Sequence, residues 1–407
     1  MAESKTGGMG RRGFLKAAAG AAATAGLLIV KPGAVRGLEA NSKVEVGVIG
    51  CGGRGRWIAN LFAQNGNYQV VAVHDYFQDR ADGAGNDHKV AAERRHTGLG
   101  SYKDLLAGQV DAVTIISPPF FHPEQAAAAV EAGKHVYLAK PVAVDVPGCN
   151  LIGASGKKAA EKKQVFLVDF QTRGDPFYTE ALKRVHEGAI GRFAFGEASY
   201  HCDRLGAKGE DKTPEGRLRN WVFDKALSGD IITEQNIHAL DVMNWILQVP
   251  PLRAWGKGGR KVRVDVGDCW DHFVLVFEYP DDVAVSFSSR QFAGHGSQPD
   301  GIRNRMFGDQ GVLETAYGGQ VLIRGKNFYR GGSSPGIYQE GAIANIAAFG
   351  DSIRNGKVDN PTVAPSVQSN LITIMGRMAA YTGKVVTWEE TANSTEKLDG
   401  RLDGLKA

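Results

Sequence analysis

The sequence predicts an α/β chain of two domains: an N-terminal doubly wound parallel sheet, then an α+β domain with a largely antiparallel sheet. Three observations predict it. From residue 43 to about 165, apolar strand-like runs alternate with helical segments, the order that builds a parallel sheet covered on both faces. The first run, Val44-Glu-Val-Gly-Val-Ile, passes directly into a glycine-spaced turn. Beyond about residue 170 the pattern changes to strands joined by short turns, as in antiparallel sheets.

In the first domain strands fit at 44–49, 69–74, 111–116, 135–139 and 165–169, with helical segments at 55–65, 101–107, 123–133 and 150–162. The charged stretch 79–95 reads as a helix with a variable connection. In the second domain a helix at 178–187 ends at Gly188, and strands follow at 192–201, 252–264, 271–279 and 283–291. Pro280-Asp281-Asp282 joins the last two, a hairpin by its turn chemistry. The Gly-, Arg- and Ser-rich region 292–340 holds short strands at 312–315 and 321–324, and helices fit at 341–355 and 364–382. The expected domain limits are 43–165 and 166–393, with a polar, peripheral tail at 394–407.

Residues 1–40 stand apart from the fold. Arg11-Arg12-Gly-Phe14-Leu15-Lys16 precedes 14 small or apolar residues from Ala17 to Val30, too short a run for a spanning helix but suited to a signal-peptide core. The pattern resembles a twin-arginine export signal, with Gly10 where Ser or Thr is usual and a cleavage site expected near Ala40. The expected partner is the twin-arginine export machinery, the expected location the periplasm or another exported compartment, and the mature form needs no membrane span. A dispersed net charge of +4 argues against nucleic acid as a partner. Cys51, Cys149, Cys202 and Cys269 contain no C-x-x-C pair, so neither a zinc site nor a disulfide framework is indicated; a Cys202–Cys269 bridge stays open.

The chemistry starts at the glycine turn. Gly50, Gly52 and Gly55 stand in G-x-G-x-x-G spacing, with Gly53 and Arg54 inside the turn. The first glycine allows the tight turn, the second lets backbone approach a pyrophosphate, and the third lets helix pack on strand. A second apolar run, 69–74, ends at Asp75, 20 positions after Gly55, where a ribose 2′-hydroxyl needs an acceptor. That carboxylate repels a 2′-phosphate, and Tyr76-Phe77-Gln78 brings no arginine directly after it, so NAD is favoured over NADP.

Two further constellations carry reactive groups. In His135-Val-Tyr-Leu-Ala-Lys140-Pro141, the lysine leaves a buried strand where the ligand crevice of a parallel sheet opens. An ammonium there can stabilise a developing alkoxide. In the segment 229–245, Glu234, His238, Asp241 and Trp245 share one helical stripe, so the imidazole is expected between two carboxylates that raise its basicity. The competing readings are a satisfied structural histidine and a metal site, which lacks a third strong ligand at a recognised spacing, so no metal is expected. At the domain junction, Gln171, Arg173, Arg219, Asn220 and Trp221 combine hydrogen-bond donors with an aromatic face, the equipment for a polyhydroxylated ring.

Together, the 50–55 turn, Asp75, Ser117-Pro118-Pro119-x-x-His122, Lys140-Pro141 and Glu234-x-x-x-His238 resemble the glucose–fructose oxidoreductase / inositol dehydrogenase / MocA (Gfo/Idh/MocA) family over about residues 43–300. Two departures stand out: Ala139 precedes Lys140-Pro141 where that family usually has glutamate, and Glu234 replaces the usual aspartate. The resemblance implies a Rossmann domain holding NAD, with Ser117, Pro118 and His122 along the nicotinamide side. It implies His238 as the base for a hydroxyl proton, Lys140 polarising that oxygen, Glu234 as orienter or alternative proton carrier, and a homo-oligomer. The implied substrate is a sugar, glycoside or cyclitol oxidised by hydride transfer. Export adds the expectation of a tightly bound, recycled cofactor, since free NAD is scarce outside the cytoplasm. The alternatives are an NAD-dependent glycoside-cleaving enzyme working by oxidation and elimination, and a non-catalytic dinucleotide- and sugar-binding protein.

Overall fold

The computed structural model describes residues 43–407; the export-signal expectation lies outside the described residues. Six strands, β1 (Val44–Ile49), β2 (Tyr68–Asp75), β3 (Arg95–Thr97), β4 (Ala112–Ile115), β5 (His135–Ala139) and β6 (Phe166–Asp169), form the first sheet in the order β3-β2-β1-β4-β5-β6. Every neighbouring pair is parallel. This is the doubly wound order whose crevice opens where strand order reverses, between β1 and β4. β4 is buried throughout and β1 everywhere but Glu45, which is why these strands read as continuous apolar runs. The connections are α1 (Gly53–Asn65), α2 (Gln78–Asp87), α3 (Tyr102–Ala107), α4 (His122–Glu131) and α5 (Val146–Glu161). β6 pairs with β5, so the parallel sheet runs to Asp169, past the limit expected at 165.

The second domain is a sheet of nine strands. It begins after α6 (Pro176–His186), whose Asp175 cap accepts the Phe177 and Tyr178 N–H groups at 3.0 Å. Its strands are β7 (Phe193–Cys202), β8 (Arg253–Gly259), β9 (His272–Glu278), β10 (Ala284–Gln291), β11 (Gly301–Gly308), β12 (Gly311–Ala316), β13 (Gln320–Gly325), β14 (Tyr329–Ser333) and β15 (Val386–Thr387), ordered β14-β13-β12-β11-β7-β10-β9-β8-β15. β7 and β10 run parallel; the other neighbours are antiparallel. The β9–β10 hairpin turns through Asp281 and Asp282 at φ 60° and 59°, the left-handed pair that matches strand twist in a tight turn.

Short helices α7 (Pro214–Arg219), α8 (Lys225–Ser228) and α9 (Ile231–Glu234) lead into α10 (Ile237–Leu247); α11 (Ile337–Asn355), α12 (Val363–Thr382) and α13 (Trp388–Ala392) follow the last long strands. α12 packs on α10 and β8 and also on α5 of the first domain. Ile237, Val363, Leu371 and Ile374 join the apolar core beneath β4 and β5. Residues 43–407 are therefore one compact unit with a shared core.

Two expectations are corrected and one open question is answered. The single helix expected through 234–245 is broken: Asn236 N–H reaches back to the Ile231 carbonyl and His238 N–H only to Gln235, so α9 and α10 are separate. The tail at 394–407 is not peripheral, because Leu402 and Leu405 pack against Phe77, Leu218 and Leu227 from both domains. Cys202 and Cys269 are free thiols; Sγ of Cys269 faces Ser228 Oγ at 3.4 Å and Sγ of Cys202 the Arg290 carbonyl at 3.6 Å. Among the described residues no helix is long and apolar enough to cross a membrane.

Candidate active site

The turn after β1 fits a dinucleotide by its geometry. Gly50 has φ +91°, the left-handed region, and a Cβ there would press on the Ser117 backbone. A Cβ on Gly55 would collide with the Gly50 carbonyl, so α1 packs on β1 only with glycine here. Gly53 faces open space and Gly52 nearly so, its nearest neighbour being Arg80 Nη1 at 3.8 Å. Those open positions cap α1 without any side chain competing for its N-terminal amides, which leaves them for a diphosphate.

Asp75 ends β2 buried, its two oxygens accepting N–H from Cys51 (2.8 Å) and Phe77 (2.9 Å). Burial raises its pKa, and the two amides oppose that rise. The carboxylate thus sets the turn and borders a cavity with Gly50, Tyr76, Phe77, Arg80, Pro118 and Leu218, where a dinucleotide on this turn would place its adenosine. Arg80 was not anticipated: it lies past the three residues that follow Asp75, but the first turn of α2 brings its guanidinium back over the Phe77 ring, 4.7 Å from the centroid. Any exclusion of a 2′-phosphate by Asp75 would have to work against this basic neighbour. Asp75→Ala is expected to lower the NAD/NADP ratio of kcat/KM at least about 10-fold, read from initial rates with each cofactor.

Beyond Ser117, which borders both spaces, a second cavity of about 550 Å³ lies between the domains. Lys140, Gln171, Tyr200, Trp221, Glu234 and His238 line it, delivered by β5, the turn after β6, β7, the turn after α7, the end of α9 and the start of α10. Lys140 Nζ donates to the Glu234 carbonyl at 2.6 Å and meets its Oε1 at 3.3 Å. Burial lowers the Lys140 pKa, with Glu234 opposing.

His238 corrects the expectation of a raised basicity. Its ring sits among Phe170, Tyr200 and Tyr317 at 5.8–6.5 Å between centroids, and Nδ1 has no hydrogen-bond partner among the described residues. Burial, then the positive charges of Lys140 and Arg54, push its pKa well below the ordinary value. Asp241 is no partner of this histidine. Fully buried, it takes a two-pronged ion pair from Arg173 (3.0 and 2.9 Å) and a hydrogen bond from Ser369 Oγ (2.7 Å). Arg173 is thereby spent on structure and lines a different cavity, beside β6 and α11.

The remaining expected residues divide. Gln171 and Trp221 line the catalytic cavity. Asn220 borders it, but its amide is committed to the loop, accepting Lys208 N–H (2.7 Å) and donating to the Gly209 and Gly216 carbonyls. Arg219 stands at the rim, 3.9 Å over the Phe77 ring and 2.8 Å from Asp79, bridging the domains near the adenosine end. Pro118 borders the adenosine cavity and Pro119 the catalytic one. His122 enters neither: Nδ1 lies 2.8 Å from the Pro141 carbonyl and Nε2 2.7 Å from that of Ser117, so the ring staples the Ser117 and Lys140 loops together. Burial lowers its pKa to about 4, so it stays neutral and donates to one of the two.

Arg54, read as part of the dinucleotide turn, lines the cavity between the domains. It pairs with fully buried Asp169 at 2.6 Å and donates to Tyr338 Oη at 2.9 Å. Asp169, Tyr200 and Tyr338 went unrecognised in the sequence. Asp169 had a usable signal, a carboxylate closing an apolar strand just as Asp75 does.

Known proteins share this fold. A family model described as oxidoreductase family, NAD-binding Rossmann fold matches residues 44–170, and the GFO/IDH/MocA C-terminal domain matches 178–314. Inositol 2-dehydrogenase of Pseudomonas fluorescens is 32% identical over 328 residues, 78% of this chain and 89% of that one. Scyllo-inositol dehydrogenase from Lactobacillus casei, solved with NAD(H) and scyllo-inositol, superposes with a TM-score of 0.67 at 20% identity, over 86% of this chain and all (100%) of that one. Aldose-aldose oxidoreductase from Caulobacter crescentus superposes with a TM-score of 0.65 at 18% identity, over 85% and 99%. With family models over residues 44–170 and 178–314 and a relative 32% identical over most of both chains, the chain belongs to the Gfo/Idh/MocA family of NAD-binding oxidoreductases.

Proposed function

We propose that this protein is an exported oxidoreductase acting on a hydroxyl-bearing carbon of a sugar, glycoside or cyclitol, with its NAD held tightly and recycled in place. The observation that carries the reading is the convergence of Lys140, Glu234 and His238, from distant parts of the chain, on one cavity beside the dinucleotide turn. The relatives' names, inositol 2-dehydrogenase and aldose-aldose oxidoreductase, support the substrate class. Export rests on the Arg11-Arg12 leader, and tight retention on the scarcity of free dinucleotide it implies.

Bound NAD supplies the hydride acceptor. The chain's residues handle the proton and the fit. Trp221 and Tyr200 offer aromatic faces to a ring, and Gln171 a polar edge. His238, uncharged at neutral pH, accepts a hydrogen bond from the substrate hydroxyl and orients it. An imidazolium would be disfavoured beside Lys140 and Arg54, so the proton is better held by the Lys140–Glu234 pair. Lys140 in its neutral form takes the hydroxyl proton, and its contact with Glu234 stabilises the ammonium that results. The open face of the nine-stranded sheet, with a polar hollow of about 770 Å³, is where a second copy of the chain would pack.

Denaturing the purified mature protein and assaying the supernatant tests retention: near-stoichiometric dinucleotide is expected, and its absence refutes that part. A panel of free sugars, cyclitols and aryl glycosides tests the reaction. Carbonyl product from the free compounds supports the dehydrogenase reading; aglycone release without reduced dinucleotide supports glycoside cleavage by oxidation and elimination instead.

A further inference from the structure

The segment 394–407 crosses from one domain to the other over the adenosine end of the site. On the first domain, Leu398 N–H donates to Asp145 Oδ2 at 3.0 Å and Lys406 N–H to Tyr76 Oη at 3.1 Å, while the Lys406 carbonyl accepts Leu99 N–H at 3.1 Å. On the second domain, Arg217 donates to the Gly400 and Arg401 carbonyls at 3.0 and 2.9 Å. Arg401 in turn pairs at 2.9 Å with Asp224, a nearly buried carboxylate that Arg217 also meets at 2.8 Å. Between these anchors Leu402 and Leu405 pack on the cluster of Phe77, Leu218 and Leu227, which Tyr76 also flanks. Tyr76, Phe77 and Leu218 are walls of the adenosine cavity, two from the turn after β2 and one from α7. A segment of polar composition is thus fastened at both ends and half-buries its two leucines against the back of this cavity.

We propose that residues 398–406 are part of the dinucleotide site, a latch that holds the Tyr76–Phe77 turn and Leu218 together around the adenosine and sets the rate at which NAD leaves. Adenosine enters or escapes when the two walls part, and the walls part when the leucines and Arg401 release. The proposal rests on NAD occupying this cavity and deepens the retention reading, since a strap closed across two domains slows exchange without adding any contact to the nicotinamide. Lys140 and His238 lie in the other cavity, so the latch acts on cofactor residence and not on the chemistry.

The test compares wild type with the Leu402→Ala/Leu405→Ala double variant, Arg401→Ala, and a chain ending at Asn393. Each is loaded with NADH, and release is followed by loss of energy transfer from tryptophan to bound reduced nicotinamide after dilution into excess NAD. Release is expected to quicken at least about 10-fold in the double variant. Sugar KM at saturating NAD should stay within about twofold of wild type. Hydrogen exchange at Leu99 and Lys406 should slow when NAD is added to wild type and not in the double variant. Equal release rates in wild type, the double variant and Arg401→Ala would overturn the latch, whether or not the shortened chain folds. Rapid exchange in wild type, made faster still by the variants, would keep the latch and overturn retention alone.

Discussion

Lys140→Ala is expected to lower kcat for oxidation by about 10²–10⁴-fold while leaving the dinucleotide bound. The ammonium nitrogen is the group that both reaches the substrate cavity and has a carboxylate at hand, 3.3 Å away on Glu234. Burial lowers its pKa, with Glu234 opposing, so deprotonation occurs at lower pH than for a free lysine. The sign follows directly: oxidation rises as pH climbs through the lowered Lys140 pKa, and that limb disappears in Lys140→Ala. Lys140→Arg keeps the positive charge but cannot give up its proton, so it does not restore the limb. His238 titrates well below its usual range because it is buried beside Lys140 and Arg54, and it contributes no limb near neutrality. A limb near the ordinary histidine value that vanished in His238→Ala would reverse the two roles.

Gly55→Ala is expected to weaken NAD binding at least about 100-fold, measured by calorimetry, because overpacking of a rigid contact costs kilocalories and each 1.4 kcal/mol is tenfold. The added methyl would meet the Gly50 carbonyl, a backbone atom fixed between β1 and the Ser117 loop, not the end of a pliable side chain. Relief requires α1 to lift from β1, and with it the uncapped amides that face the diphosphate. An unchanged Kd would mean that the turn tolerates a side chain and that the diphosphate is bound elsewhere.

The first domain was legible because its strands are buried on both faces and its glycines each answer a steric demand that sequence spacing displays. Strand boundaries at 44–49 and 135–139 coincide with β1 and β5. β11 was missed for the opposite reason. Its residues Gly301-Ile-Arg-Asn-Arg-Met-Phe-Gly308 place exposed Arg303 and Arg305 on one face and buried Asn304 and Met306 on the other, so its inner face carries little apolar signal. Asn304 is paid for by a bond to the Ala239 carbonyl at 2.9 Å, a partner 65 positions away that no local pattern reveals.

The site shows the same division. Lys140, Glu234 and His238 were legible as reactive groups at strand and helix ends, but their electrostatics were not. Helical spacing set Asp241 beside His238; the break between α9 and α10 and the approach of Arg173 from the turn after β6 took it away. Arg54 was drawn to Asp169 by a pairing across 115 positions. Arg80 and the tail escaped for a related reason: each acts through a neighbour that is close only after folding.

The central claim is that a substrate hydroxyl carbon and the nicotinamide meet in the cavity that Lys140 and His238 line. Mixing the dinucleotide-loaded protein with a responsive sugar or cyclitol, unlabelled and then deuterated at the oxidised carbon, tests it in one turnover. A rise in reduced-nicotinamide absorbance that slows with deuterium, and that Lys140→Ala suppresses, is the predicted result. Loaded protein whose absorbance stays flat across the whole panel, or rises equally in Lys140→Ala, contradicts it.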